Sequence, residues 1–225
     1  MTSRSHCFIM KINSFIKIMI GVEKMPRTKE QYAQMRDASN QKIRTAAIRL
    51  FAEKGFAATN IQDIAESAGI SMGLMYRHYP SKDVLVSSLL ESAMEGNKDI
   101  IQSMESDGDP REIFDNLASE IYRHMTDDDS NFVSLMLLIT QGLMSKSLID
   151  CGALIDLDIQ TLKAGEKLIR RGQKAGVFGE GNPKEMIVCF FSCIQGLVMM
   201  KSALGEYFQM PDAGVMTAFL YRSQK

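Results

Sequence analysis

Apolar residues along this chain recur at i, i+3 and i+4 for whole turns, while strictly alternating stretches are short and isolated. That pattern predicts an all-α fold of nine helices. The first spans about Ser39 to Lys54: Ile43, Ala46, Ala47, Leu50 and Phe51 form one stripe, and Gly55 supplies the stop. Thr59 and Gln62 fit a capping box ahead of a short second helix, Ile61 to Ala68. Gly69-Ile70-Ser71 then interrupts the pattern. Ser71 is placed to cap a third helix, about Met72 to Tyr79, which stops before Pro80. Two short helices joined by a three-residue glycine turn form a helix-turn-helix signature within residues 59 to 79.

Beyond Pro80 the pattern lengthens. A fourth helix runs from Ser81 to about Met104, with Asp83 in its first turn where the helix dipole favours a negative charge. Ile113, Leu117, Ile121 and Met125 carry a fifth helix. The acids of Thr126 to Ser130 read as a solvated loop, because no calcium-loop spacing follows. A sixth helix covers about Asn131 to Lys146 and a seventh about Ile149 to Ala175, ended by the turn-rich residues 176 to 183. The eighth, about Pro183 to Tyr207, holds the run Met186 to Met200, whose only polar side chains are Ser192 and Gln195. Those fifteen residues fall short of the ~20 that a membrane span needs, so burial all round inside protein is expected. The ninth helix, about Asp212 to Arg222, closes the chain. The last two helices are the expected dimer interface, with Phe190, Ile194, Leu197, Met216 and Phe219 as its candidates.

Charge divides the chain in two. Arg27 to Asp83 holds nine Lys/Arg against six Asp/Glu, a net +3, whereas Val84 to Lys225 holds thirteen against twenty, a net −7. A local basic face on an otherwise acidic body suits a head that meets phosphates. The expected organisation is therefore an extension at 1–26, a head at 27–83 and a helical body at 84–225. The extension is apolar and basic, but Lys11 and Lys17 break its apolar run and no small-residue cleavage site follows. A disordered extension ahead of Met25 is expected, although Phe8, Ile12, Phe15 and Met19 also fit a helix lying on a membrane surface. Cys7, Cys151, Cys189 and Cys193 form no CxxC pair, so neither a zinc site nor a disulfide framework is indicated, and a reducing cytoplasmic setting is expected. His6, His78 and His124 lack companions at catalytic or metal-ligand spacing, which argues against an enzyme and against a metal or other cofactor.

Residues 43 to 85, IRTAAIRLFAEKGFAATNIQDIAESAGISMGLMYRHYPSKDVL, closely resemble the DNA-binding region of the TetR family of transcriptional regulators. The likeness rests on a first helix ending in F-A-E-K-G-F, on Thr59 followed by Ile64-Ala65, on the A-G-I-S turn, on Tyr76 to Tyr79, and on Ser81-Lys82-Asp83. It implies a homodimer with two helix-turn-helix heads, each reading double-stranded DNA, and a variable effector-binding body.

On that resemblance Tyr76, His78 and Lys82 are expected to contact the DNA backbone, as is Arg77, which also reads as a plain surface charge. Thr59 and Ser71 are expected at helix N-termini that favour phosphate, with a plain capping role beside that one. Gly73 removes bulk where backbone and DNA approach. Met72 and Leu74 depart from the family pattern: neither makes a bidentate hydrogen bond to a purine, so thymine methyls and DNA shape are left to carry readout.

Phe114, Tyr122, Met125, Phe132, Met136 and Thr140 are candidates for an effector pocket, and most of them also read as ordinary core. With seventeen methionines available to re-pack, an apolar small molecule is the expected effector. A ligand-released repressor on a near-palindromic operator is the expected function. An activator or non-inducible regulator shares every feature above. A membrane-associated helical protein using residues 8 to 22, without stable insertion, is the reading from another class.

Overall fold

The computed structural model describes residues 29–127, 130–145 and 151–221. The expectations for 1–26, for Asp128 and Asp129 and for the start of the seventh helix at Ile149 lie outside the described residues, as does the end of the ninth at Arg222. Among the described residues there are nine α-helices and no strand: α1 (Lys29–Lys54), α2 (Ile61–Ser67), α3 (Met72–His78), α4 (Lys82–Glu105), α5 (Pro110–Thr126), α6 (Phe132–Ser145), α7 (Cys151–Lys174), α8 (Pro183–Leu204) and α9 (Ala213–Thr217). Short 3-10 turns, Gly205–Tyr207 and Ala218–Leu220, follow the last two.

The chain divides into two compact units, residues 1–41 and 42–225. Of the first, the described part is the opening of α1, which carries the exposed side chains Tyr32 and Met35. Within the second unit two apolar clusters form. One gathers the α1 stripe, Ile64 and Ala65 of α2, Met75 of α3 and Leu85 to Leu90 of α4, and Leu138 and Leu154 of the body join it. Its boundary does not follow the fall in charge at residue 83, because the first turns of α4 bury Leu85, Val86 and Leu89 in it.

The other cluster is the core of the body. There α4 packs on α7, α7 on α8, α6 on α8, and α5 on α9. Phe114 meets Phe178 and Phe190 edge-on at 5.5 and 5.0 Å, an arrangement that aromatic quadrupoles favour. Tyr221 closes the far end: its hydroxyl bonds the Asp115 carboxylate, and the Arg111 guanidinium lies 4.3 Å from its ring centre. Burial, reinforced by the Asp115 carboxylate, holds that hydroxyl above its ordinary pKa.

Helix α8 differs from expectation in two ways. With its 3-10 extension it runs from Pro183 to Tyr207, long and apolar enough to cross a membrane by length and composition. It is also not buried all round. Ile187, Phe190, Ile194 and Val198 sit in the core, whereas Val188, Met199, Met200 and Leu204 stand exposed on the opposite half. An apolar composition on all sides does not tell which side faces inward; here the ring of Phe114 and the α6 and α7 surfaces take only one half.

Candidate nucleic-acid interface

The head is positioned from α1 outward. Gly55, at φ +80°, stops α1, and its N–H donates to the Phe51 carbonyl at 2.9 Å. Phe56 then turns back to meet Phe51 at 5.5 Å. The cap of α2 is Asn60, whose Oδ1 accepts from the Asp63 N–H at 2.8 Å. Thr59 is therefore not the cap. Its hydroxyl is buried and donates to the carbonyls of Leu50 (3.2 Å) and Gly55 (2.9 Å), which removes it from any phosphate. Gln62 correspondingly reaches Glu66, at 3.1 Å, and does not fold back on the cap.

Between α2 and α3 the chain reverses at Gly69, φ +66°, a region that side-chain-bearing residues seldom enter. The Ile70 N–H donates to the Ala65 carbonyl at 3.0 Å, which fixes the angle between the two helices. Ser71 caps α3 as expected, accepting from the Leu74 N–H at 3.3 Å. Met75 is fully buried and Tyr79 nearly so, which anchors one face of α3 on the first apolar cluster. Met72 packs partly against the same cluster.

The opposite face of α3 presents Ser71, Gly73, Tyr76 and Arg77 to solvent, with Leu74 and His78 half-buried at its edges. Tyr76 is 52% exposed. Arg77 is exposed and makes no hydrogen bond or ion pair among the described residues. At Gly73 a β-carbon would meet nothing within 4 Å, so packing within the chain does not demand glycine there. Other head cations are engaged internally: Arg44 donates to the Ser88 hydroxyl at 2.9 Å and Arg49 to that of Ser67 at 2.9 Å. Lys82 is engaged as well. Its ammonium donates to the carbonyls of Phe56 (2.6 Å) and Thr59 (2.8 Å) and lies 4.2 Å from the Phe56 ring centre.

The candidate pocket and dimer residues are scattered by the fold. Phe114 and Met125 are fully buried core. Tyr122, Phe132 and Met136 pack half-buried on the same cluster, and Thr140 accepts from Gln195 at 2.8 Å while donating to the Met136 carbonyl. None of these six lines the cleft of about 510 Å3 found between the end of α1 (Ala52, Glu53), the start of α6 and the end of α8 (Lys201, Ser202). Sequence reasoning passed over that cleft; a lone lysine ending an apolar helix was its visible signal. Of the proposed dimer residues, Phe190, Ile194 and Met216 are buried in this chain's own core and have no surface to offer a partner. Leu197 is half-buried, and Phe219 is exposed.

An α2-turn-α3 unit that exposes an aromatic, a free guanidinium and a bare glycine on one helix face has the form of a helix-turn-helix head. Residues 43–89 match the family model described as bacterial regulatory proteins, tetR family. The chain is 34% identical over 110 residues to the HTH-type regulator YerO of Bacillus subtilis, covering 48% of this chain and 37% of that one. It is 28% identical over 201 residues to the HTH-type regulator ArpR of Pseudomonas putida, covering 83% and 86%. Its fold is shared by AibR, solved with isovaleryl coenzyme A and operator DNA, at a TM-score of 0.55 and 15% identity, covering 80% of this chain and 94% of that one. Residues 43–89 are thus similar to the corresponding region of bacterial regulatory proteins of the tetR family, and the fold of the chain is shared with a solved protein of that family.

Proposed function

We propose that this regulator is a homodimeric repressor which docks the α3 of each subunit in the major groove of a near-palindromic operator and is released by a small molecule. The observation that carries the reading is the exposed α3 face, where Tyr76 and the unpartnered Arg77 flank the open surface at Gly73. Ser71 and His78 extend the contact at its two ends. Arg77, Tyr76 and His78 approach phosphates, and Leu74 meets thymine methyls, so affinity comes mainly from the DNA backbone and sequence preference from groove shape.

The second copy packs on the exposed half of α8, around Val188, Met199, Met200 and Leu204, with Leu197 and Phe219 alongside. That half is apolar and broad, and a protein partner suits it better than a bilayer, since the other half is already seated in the body core. The effector is an apolar small molecule taken up around Tyr122, Phe132, Met136 and the Thr140–Gln195 hydrogen bond, a polar pair set among apolar side chains. Those side chains pack against the body core, and binding there is expected to shift α6. Release follows if the ligand prefers the shifted body, and equal affinity for both conformations would release nothing. The AibR structure, which names both operator DNA and an acyl coenzyme A, supports a ligand-responsive reading. A cytoplasmic location goes with it.

Arg77→Ala tests the DNA face. It is expected to weaken operator binding and to lower the log–log salt slope by about 0.9 per head, as each lost phosphate contact releases one fewer counterion. Gel shifts across a salt series read both quantities; an unchanged slope and affinity would remove Arg77 from the interface.

A further inference from the structure

Lys82 resembles a residue that touches DNA phosphate, but its surroundings give it another task. Its ammonium is already bonded to the carbonyls of Phe56 and Thr59 and rests over the Phe56 ring. Those two carbonyls lie near the ends of the 55–59 loop that joins α1 to α2. From its other side the loop is held by the Thr59 hydroxyl, which reaches back to Leu50 and Gly55. The loop leads directly into Asn60, the cap of α2. Lys82 is the first residue of α4, whose 24 residues continue into the body and pack on α7. Beside the apolar packing of Leu85, Val86 and Leu89 and the Arg44–Ser88 hydrogen bond, this ammonium ties the start of α4 to the loop that leads into α2. A phosphate could reach only the donor that these two carbonyl oxygens leave over.

We propose that Lys82 is a positioning residue: it fixes the α1–α2 loop to the start of α4, and so aims the helix-turn-helix, without itself contacting DNA. This rests on the DNA-binding reading above. Charge-assisted hydrogen bonds of this kind are the stronger ones in a fold, and losing both lets the loop move independently of α4.

The test uses the full chain and the duplex that the unsubstituted protein selects from a random library. Lys82→Met is expected to weaken binding to that duplex by about tenfold or more while leaving the salt slope at the parent value. Hydrogen exchange should accelerate at the amides of residues 55 to 62 while α7 and α8 stay protected and the helical circular dichroism is unchanged. A role in overall stability alone would not produce that local pattern. Lys82→Gln, which keeps an N–H donor group but no charge, should fall between the two and decides the matter if the Met variant does not fold. A slope lower by about 0.9 per head would make Lys82 a phosphate contact and overturn the proposal, as would unchanged affinity in both variants. If the parent selects no duplex, the DNA-binding reading fails and this inference with it; a lowered slope defeats the Lys82 inference alone.

Discussion

Placing aspartate at both Val188 and Met199 should convert the regulator from dimer to monomer and reduce its operator affinity by at least about two orders of magnitude. The two positions lie eleven residues apart, close to three helical turns, and so share one stripe of α8. They are 41% and 56% exposed in the single chain, so carboxylates there remain hydrated in a monomer and leave its core undisturbed. In a dimer packed through this stripe, four carboxylates would be driven into an apolar seam without partners, and burying an unpaired charge costs several kcal/mol. The affinity loss follows from linkage: two joined heads bind at an effective concentration that separate heads lack. Light scattering on the eluting peak gives the mass. A variant that stays dimeric would move the interface to another surface.

The second large effect belongs to Phe51→Ala. Phe51 has no exposed surface and meets Phe56 at 5.5 Å, in the middle of the cluster that joins α1 to α2, α3 and the start of α4. Removing a ring of this kind costs about 3–5 kcal/mol, through lost burial and the cavity left behind. Against a typical stability of about 5–15 kcal/mol, that is enough to loosen or unfold the head at ordinary temperature. Urea denaturation should show a midpoint lowered accordingly, and specific DNA retention should be lost in parallel. A midpoint shifted by less than about 1 kcal/mol equivalent would mean that the site collapses around the gap and that Phe51 is not the keystone its burial indicates.

How much of this was legible in the sequence depended on whether a residue's environment was local. The stripe from Ile43 to Phe51 was readable because its apolar positions repeat with the helical period, and they are buried. Its beginning was not: Lys29 to Ala38 has no continuous apolar face, and the helix there rests on the intrinsic preference of residues such as Glu30, Gln31 and Arg36. Ser71 was readable because capping is decided within four residues. Thr59 and Asn60 are adjacent and both suited to a cap, and the choice between them was made by the Leu50 carbonyl, nine residues back, which takes the Thr59 hydroxyl.

Lys82 is the extreme case. Its partners lie 26 and 23 residues earlier, and a lysine beside a helix start ordinarily reads as a surface charge. The inward side of α8 could not be chosen from a helix apolar on nearly every side. Phe190, Ile194 and Met216 were therefore expected at a partner's surface and are found in this chain's own core. The polar cleft beside Lys201 depends on residues from α1, α6 and α8, which no single stretch of sequence brings together.

On the proposed function, α3 carries this protein onto specific duplex DNA. Selection of bound duplexes from a random library by the full chain, followed by gel shift and footprinting at several salt concentrations, addresses it most directly. The expected result is enrichment of a near-palindrome whose two half-sites are protected about one helical turn, or a multiple of one, apart, with affinity falling steeply as salt rises. Failure to enrich any sequence, or retention that does not respond to salt, would contradict it.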